Sequence, residues 1–127
     1  MTLAVDASAV AAIIFGEPEA VEIAHYLEGE SLVAPALIDF ELANVALKKI
    51  RRYPEQAAHI SLAVAHAEGL RIERVPVPAT AALSLARQTG LSAYDAAYLW
   101  VAMSRDAELV TLDHRLARVN ERLRGEP

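Results

Sequence analysis

The sequence predicts an α/β sandwich built on a mainly parallel sheet. Short apolar runs of strand character alternate with longer helical segments along the chain, the order that produces parallel sheets covered by helices. Pro or Gly punctuates most junctions between these segments. Asp6, Glu41, Asp95 and Asp113 each fall just past an expected strand or early in an expected helix. In an open α/β sheet, ligands bind outside the carboxyl ends of the strands. A length of 127 residues suits one domain, 1–127.

The first apolar run, 3–5, reads as a short buried strand, and 7–15 as a helix closed by Gly16 and Pro18. A second helix runs to about residue 27, with Gly29 near its end, and 31–34 forms the next strand. Pro18 suits the first turn of that second helix, and Pro35 is expected to open a long helix to about Arg52. Pro54 starts another helix to about His66, closed by Gly69. Residues 70–75 alternate apolar and charged side chains, as a half-buried strand does. Pro76 and Pro78 break the chain. A helix over 79–89 ends at Gly90, a typical residue just past a helix. Ser92 then caps a helix to about Arg105, 108–111 is the last strand, and 113–123 a terminal helix.

Composition narrows the function classes. Hydrophobic residues make up 54% of the chain, enough to fill a core with Ala, Val, Leu and Ile. Cysteine is absent, so there is no disulfide, thiolate metal site or cysteine nucleophile. The opening residues lack the basic segment of a signal peptide. The apolar stretches fall far short of the ~20 residues a membrane span needs. The expectation is a cytoplasmic protein with no membrane partner. A net charge of −5 argues against a generally basic nucleic-acid surface. Its distribution matters more, because Lys48, Lys49, Arg51 and Arg52 form one basic cluster and Arg115, Arg118, Arg122 and Arg124 another.

Each acid has an ordinary explanation. Asp6 and Asp113 can cap the helices that follow them. Asp95 stands three residues after Ser92, at capping-box spacing, and Glu41 can be a solvated helical residue. These roles do not compete with a site, since a carboxylate at a helix N-terminus is favoured by the dipole and can still present an oxygen. Four acids gathered at one sheet end would repel one another strongly. A divalent cation would neutralise them, and oxygen-only ligands select a hard ion, Mg²⁺ or Mn²⁺. The histidines His25, His59, His66 and His114 have no metal-ligand spacing, and only His114 lies near an acid in sequence. Tyr94, Tyr98 and Trp100 are expected to pack. Asp39 is expected to be a solvent-facing bystander.

Taken in order, Val5-Asp6-Ala-Ser8, Pro35 with Glu41-Leu-Ala-Asn44, Ala93-Tyr94-Asp95-Ala-Ala-Tyr98 and Leu109-Val-Thr111-Leu-Asp113-His-Arg-Leu resemble the PIN domain. More narrowly, they resemble the VapC-type toxins of toxin–antitoxin pairs. The resemblance spans essentially the whole chain. His114 departs from it, standing where a lysine is common. The resemblance implies a three-layer α/β/α sandwich and an endoribonuclease that leaves a 5′-phosphate product. It implies that Asp6, Glu41, Asp95 and Asp113 form the catalytic, metal-holding quartet, supported by the polar side chains of Ser8, Asn44 and Thr111. It also implies a homodimer and a small antitoxin whose C-terminal segment enters the active-site groove. The apolar stretch 10–15 and the acidic early helices are open to a dimer or antitoxin surface, and the stretch equally to the core.

RNA must also be held. Glu41, Asn44, Lys48 and Arg52 step by three or four and share one helix face, with Arg52 roughly 16 Å from Glu41. Lys48, Arg52 and Arg115 are therefore the candidate RNA contacts, although basic residues near a helix C-terminus also simply complement its dipole. A receiver domain would want an acidic pair after the first strand and a lysine after the last, and no lysine follows residue 49. A haloacid-dehalogenase-like phosphatase would want Asp at residue 8, which is Ser. A binding-only PIN-like module and a PIN nuclease outside toxin–antitoxin systems are the remaining alternatives.

Overall fold

A computed structural model describes residues 1–125. Strands β1 (Thr2–Val5), β2 (Ser31–Pro35), β3 (Ile72–Val75) and β4 (Glu108–Val110) form one sheet in the order β3-β2-β1-β4, each neighbouring pair parallel. Helices α1 (Ala7–Ile14) and α2 (Ala20–Leu27) connect β1 to β2. Helices α3 (Ile38–Arg52) and α4 (Ala57–Glu68), with a 3₁₀ turn between them (Pro54–Gln56), connect β2 to β3. Helices α5 (Ala79–Thr89) and α6 (Ala93–Ser104) connect β3 to β4, and α7 (His114–Gly125) follows.

The topology decides where a site can lie. Parallel crossovers are right-handed. The chain steps from β1 to β2 to β3 in one direction, which puts the early helices on one face; α1, α3 and α4 contact one another there. It then returns across the sheet to β4, which reverses the step and puts α5 and α6 on the other face. There α6 contacts β1, β2, β4 and α7. The result is a three-layer α/β/α sandwich, as expected. Strand order reverses between β1 and β4, and a crevice opens beyond the carboxyl ends of strands at such a point.

Central strands are covered on both faces and read as continuous apolar runs. Leu3, Ala4, Val5, Val33 and Ala34 are buried with Ile38 and Leu42 of α3 and Leu99, Val101 and Ala102 of α6 in one core. Edge strand β3 does not alternate as expected: Ile72 and Val75 at its two ends are buried, and between them Glu73 pairs with Arg105 and Arg74 with Asp39. Charged edges of this kind discourage pairing with another chain.

Boundaries differ from expectation at prolines. Pro35 does not open α3; it is buried as the last residue of β2, paired in register with Val75, and Ala36 N–H carries the ladder on to Val75 O at 3.0 Å. Proline is tolerated at a strand end, where its missing N–H removes little from the ladder. Pro54 opens a 3₁₀ turn, and the α-helix starts at Ala57. Strand β4 stops at Val110, so Thr111 lies beyond it. Helix α5 ends as expected at Gly90, whose φ of 78° is left-handed, a conformation glycine adopts without strain. In the 10–15 stretch, Val10 and Ala12 are buried, and Ile13 and Ile14 pack partly against the core. That stretch is mainly core.

Candidate functional site

Asp6 follows β1 directly and caps α1. Its Oδ1 accepts Ala9 N–H at 3.0 Å and the Ser8 hydroxyl at 2.7 Å, and its Oδ2 accepts the Thr111 hydroxyl. Ser8 Oγ in turn accepts Leu112 N–H at 2.9 Å, and Thr111 Oγ1 accepts Asp113 N–H at 2.9 Å. Asp113 Oδ1 accepts Leu116 N–H at 3.1 Å, capping α7. The loops after β1 and β4 are thus stitched together through two hydroxyls, across the switch point. The side chain of Asp6 is buried, at 5% exposure. Burial pushes its pKa up, bonds from Thr111, Ser8 and Ala9 oppose that, and the charge of Asp113 adds to the rise.

The opposite wall is built differently. Glu41 sits in the first turn of α3 and Asp95 in the first turn of α6. Ser92 Oγ accepts Asp95 N–H at 3.1 Å, the cap expected from sequence. Tyr98, one turn beyond Asp95, is 2% exposed, and its hydroxyl lies against the Glu41 carboxylate and near Ala7 N–H. Neither that hydroxyl nor Glu41 Oε1 completes a hydrogen bond, although both atoms are buried. A buried polar atom left without a partner costs about 1–3 kcal/mol. Burial raises the pKa of Glu41, the Tyr98 hydroxyl lowers it, and Asp95 and Asp6 raise it further. Burial also raises Asp95, with Asp113 and Asp6 adding to the rise, while Arg115 and the Ser92 hydroxyl lower it. The Tyr98 hydroxyl is itself pushed up by burial, then by Glu41.

Asp6, Glu41, Asp95 and Asp113 therefore converge from four elements into electrostatic reach of one another. Among the described residues, no three of them are drawn close enough to make a ready cation cage. Ionised acids facing one another without a counter-charge hold apart, so an open arrangement is what repulsion alone produces. The donor set fits a hard divalent cation, being all oxygen and net negative, and Glu41, within the charge reach of Asp95 and Asp6, keeps a buried oxygen without a partner.

The remaining expected residues divide. Ser8 and Thr111 join the network, whereas Asn44 is exposed and makes no side-chain hydrogen bond among the described residues. Lys48 is exposed, and Arg52 lies over the Tyr53 ring at 5.4 Å. Arg115 donates to Gly90 O at 2.6 Å. Asp39 stays partly solvent-facing, and Arg74 grips both its oxygens at 2.9 and 3.2 Å. Tyr94 does not pack, being 66% exposed, and Phe40, beside Glu41, is 80% exposed. Tyr98 packs as expected and also stands against Glu41. The signal for a second role was its spacing of three from Asp95, which puts both on one helix face.

The fold and the site define the class: an all-parallel α/β sandwich with an acidic cluster at its switch point. A family model for the PIN domain matches residues 3–122, and the chain belongs to the PIN domain family. It is 31% identical over 115 residues to VapC ribonuclease Mb0985 of Mycobacterium bovis, covering 91% of this chain and 88% of that protein. The same identity and coverage relate it to ribonuclease VapC9 of Mycobacterium tuberculosis. The crystal structure of PAE2754 from Pyrobaculum aerophilum matches with a TM-score of 0.73 at 26% identity, over 99% of this chain and 97% of that one.

Proposed function

We propose that this chain is a divalent-metal-dependent endoribonuclease, working as one domain over 1–127, and the toxin of a VapBC-type pair. Residues 126–127 of that span lie outside those described. The observation that carries the reading is the convergence of Asp6, Glu41, Asp95 and Asp113 at the switch point, with one buried Glu41 oxygen unpartnered. Kinship to two VapC ribonucleases supplies the substrate class and the expectation of a VapB-like antitoxin.

Asp6, Glu41, Asp95 and Asp113 would hold Mg²⁺ or Mn²⁺, which when bound supplies water activation and charge relief for phosphodiester hydrolysis. Ser8 and Thr111 fix the orientation of Asp6, and Thr111 ties Asp113 to the same network. Tyr98 stands against Glu41 and walls the site from the core. Asn44 is a supporting residue on the exposed side of α3. Lys48, Arg52 and Arg115 contact the RNA backbone. A homodimer in the cytoplasm completes the reading, and among the described residues no helix is long and apolar enough to cross a membrane.

A binding-only module is the second reading, favoured by the lack of a closed cage among the described residues. Cleavage of a labelled structured RNA pool separates the two. Wild type should cut with Mg²⁺ or Mn²⁺ and stop with EDTA, and Asp95→Asn should be inactive. Wild-type cutting that persists in EDTA, or in Asp95→Asn, contradicts the proposal.

A further inference from the structure

The acids that would serve the chemistry repel the substrate. RNA carries a negative charge at every phosphate, and its binding depends on cations that displace its counterions. A chain of net charge −5 with acids in its crevice must hold the RNA backbone elsewhere.

Helix α7 offers that place. Arg115, Arg118 and Arg122 step by three and four, so they share one face over about 10 Å of helix. All three are exposed, while Leu116 and Val119 are buried. With Thr89, Val119 and Glu121 they line a groove of about 730 Å³. Arg115 stands at the acidic end: its guanidinium donates to Gly90 O at 2.6 Å, and its charge acts on Asp95. The helix dipole does not explain the whole placement: it favours Arg122 in the last turn, but Arg115 in the first turn opposes it and mid-helix Arg118 gains little from it. Nor does internal pairing explain it. Arg124 is taken by Ala107 O and Asp106, but Arg118 and Arg122 make no ion pair or side-chain hydrogen bond among the described residues. In the other basic cluster Lys49 is bound to Glu17 and Arg52 lies against Tyr53, while Lys48 is exposed and serves as the competing contact in the test.

We propose that Arg115, Arg118 and Arg122 form an arginine track along α7 that holds RNA phosphates leading away from the acidic site. This rests on the ribonuclease reading and adds the path of the substrate. The test is fluorescence anisotropy with a labelled single-stranded RNA of mixed sequence, in full-length chain carrying Asp95→Asn so that the probe survives. R118E/R122E should bind about tenfold or more weakly, and the plot of log affinity against log salt should flatten by about 0.7 for each phosphate no longer held. R118Q/R122Q should show a smaller loss in the same direction, and it serves as the readout if charge reversal impairs folding, judged by thermal midpoint. Unchanged affinity and slope in folded R118Q/R122Q overturn the track, as does a loss confined to K48E/R52E. If the parent chain binds no RNA at low salt, the ribonuclease reading itself fails and takes the track with it.

Discussion

The two walls of the acidic site are organised on opposite principles. Across the β1–β4 wall, Asp6, Ser8, Thr111 and Asp113 close a network in which every bond reinforces another. Across the α3–α6 wall, Glu41 and Tyr98 face each other with buried atoms left unpaired. One wall is satisfied by folding alone. The other keeps the Glu41 acceptor in reserve, which folding tolerates and a bound cation would use. Unsatisfied buried groups in native proteins call for such an explanation.

The largest effect expected from this contrast is on activity. Asp6→Asn keeps the size of the side chain but removes its charge, and RNA cleavage should fall by about a hundredfold or more while the circular dichroism spectrum is retained. Near-wild-type cleavage would detach Asp6 from the site.

Removing one hydroxyl from each wall should give opposite signs in denaturant unfolding. Thr111→Val leaves Asp6 Oδ2 and Asp113 N–H without their partner and should cost about 1–3 kcal/mol. Tyr98→Phe removes a hydroxyl that completes no bond and should be neutral or stabilising by up to about 1 kcal/mol. Equal destabilisation in both would show that the walls do not differ.

The pH dependence is where the two walls behave alike. Asp6, Glu41 and Asp95 all have folded-state pKa values raised above 3.8, 4.5 and 3.8 respectively. Above those ordinary values the folded state binds more protons than the unfolded chain, so stability falls as pH rises through the raised values. Measured by urea unfolding without divalent ions, wild type should lose stability relative to Asp95→Asn as pH rises from about 4 toward neutrality. Mn²⁺ should reverse the loss. A relative gain over that window would contradict the shifts.

The smallest effect should come from Asp39→Asn. It weakens a half-exposed pair with Arg74, worth about 1 kcal/mol or less, and should leave cleavage within about twofold of wild type. A large loss would make Asp39 part of the site after all.

Much of this arrangement was legible before the structure. Ser92 and Gly90 were readable because caps and left-handed turns depend on a few neighbouring atoms. The α/β order was readable because apolar periodicity reports burial directly. Pro35 was misread because the same residue suits a helix start and a strand end, and register with Val75 decides between them. The partner of Asp39 was not readable, because Arg74 lies 35 residues away and meets it only through the β2–β3 pairing. The bond from Thr111 to Asp6 spans 105 residues. Resemblance implied a supporting role for Thr111, but no local signal names its partner. Tyr94 and Tyr98 sit four residues apart, and only the packing of α6 against the sheet makes one exposed and the other core.

The most direct test is calorimetric titration of Mn²⁺ into the metal-free chain, beside Asp6→Asn and Glu41→Gln. One variant comes from each wall. If both walls serve one cation site, wild type binds saturably and each variant binds about tenfold or more weakly. Wild-type affinity retained in both variants, or no saturable binding to wild type, would contradict it.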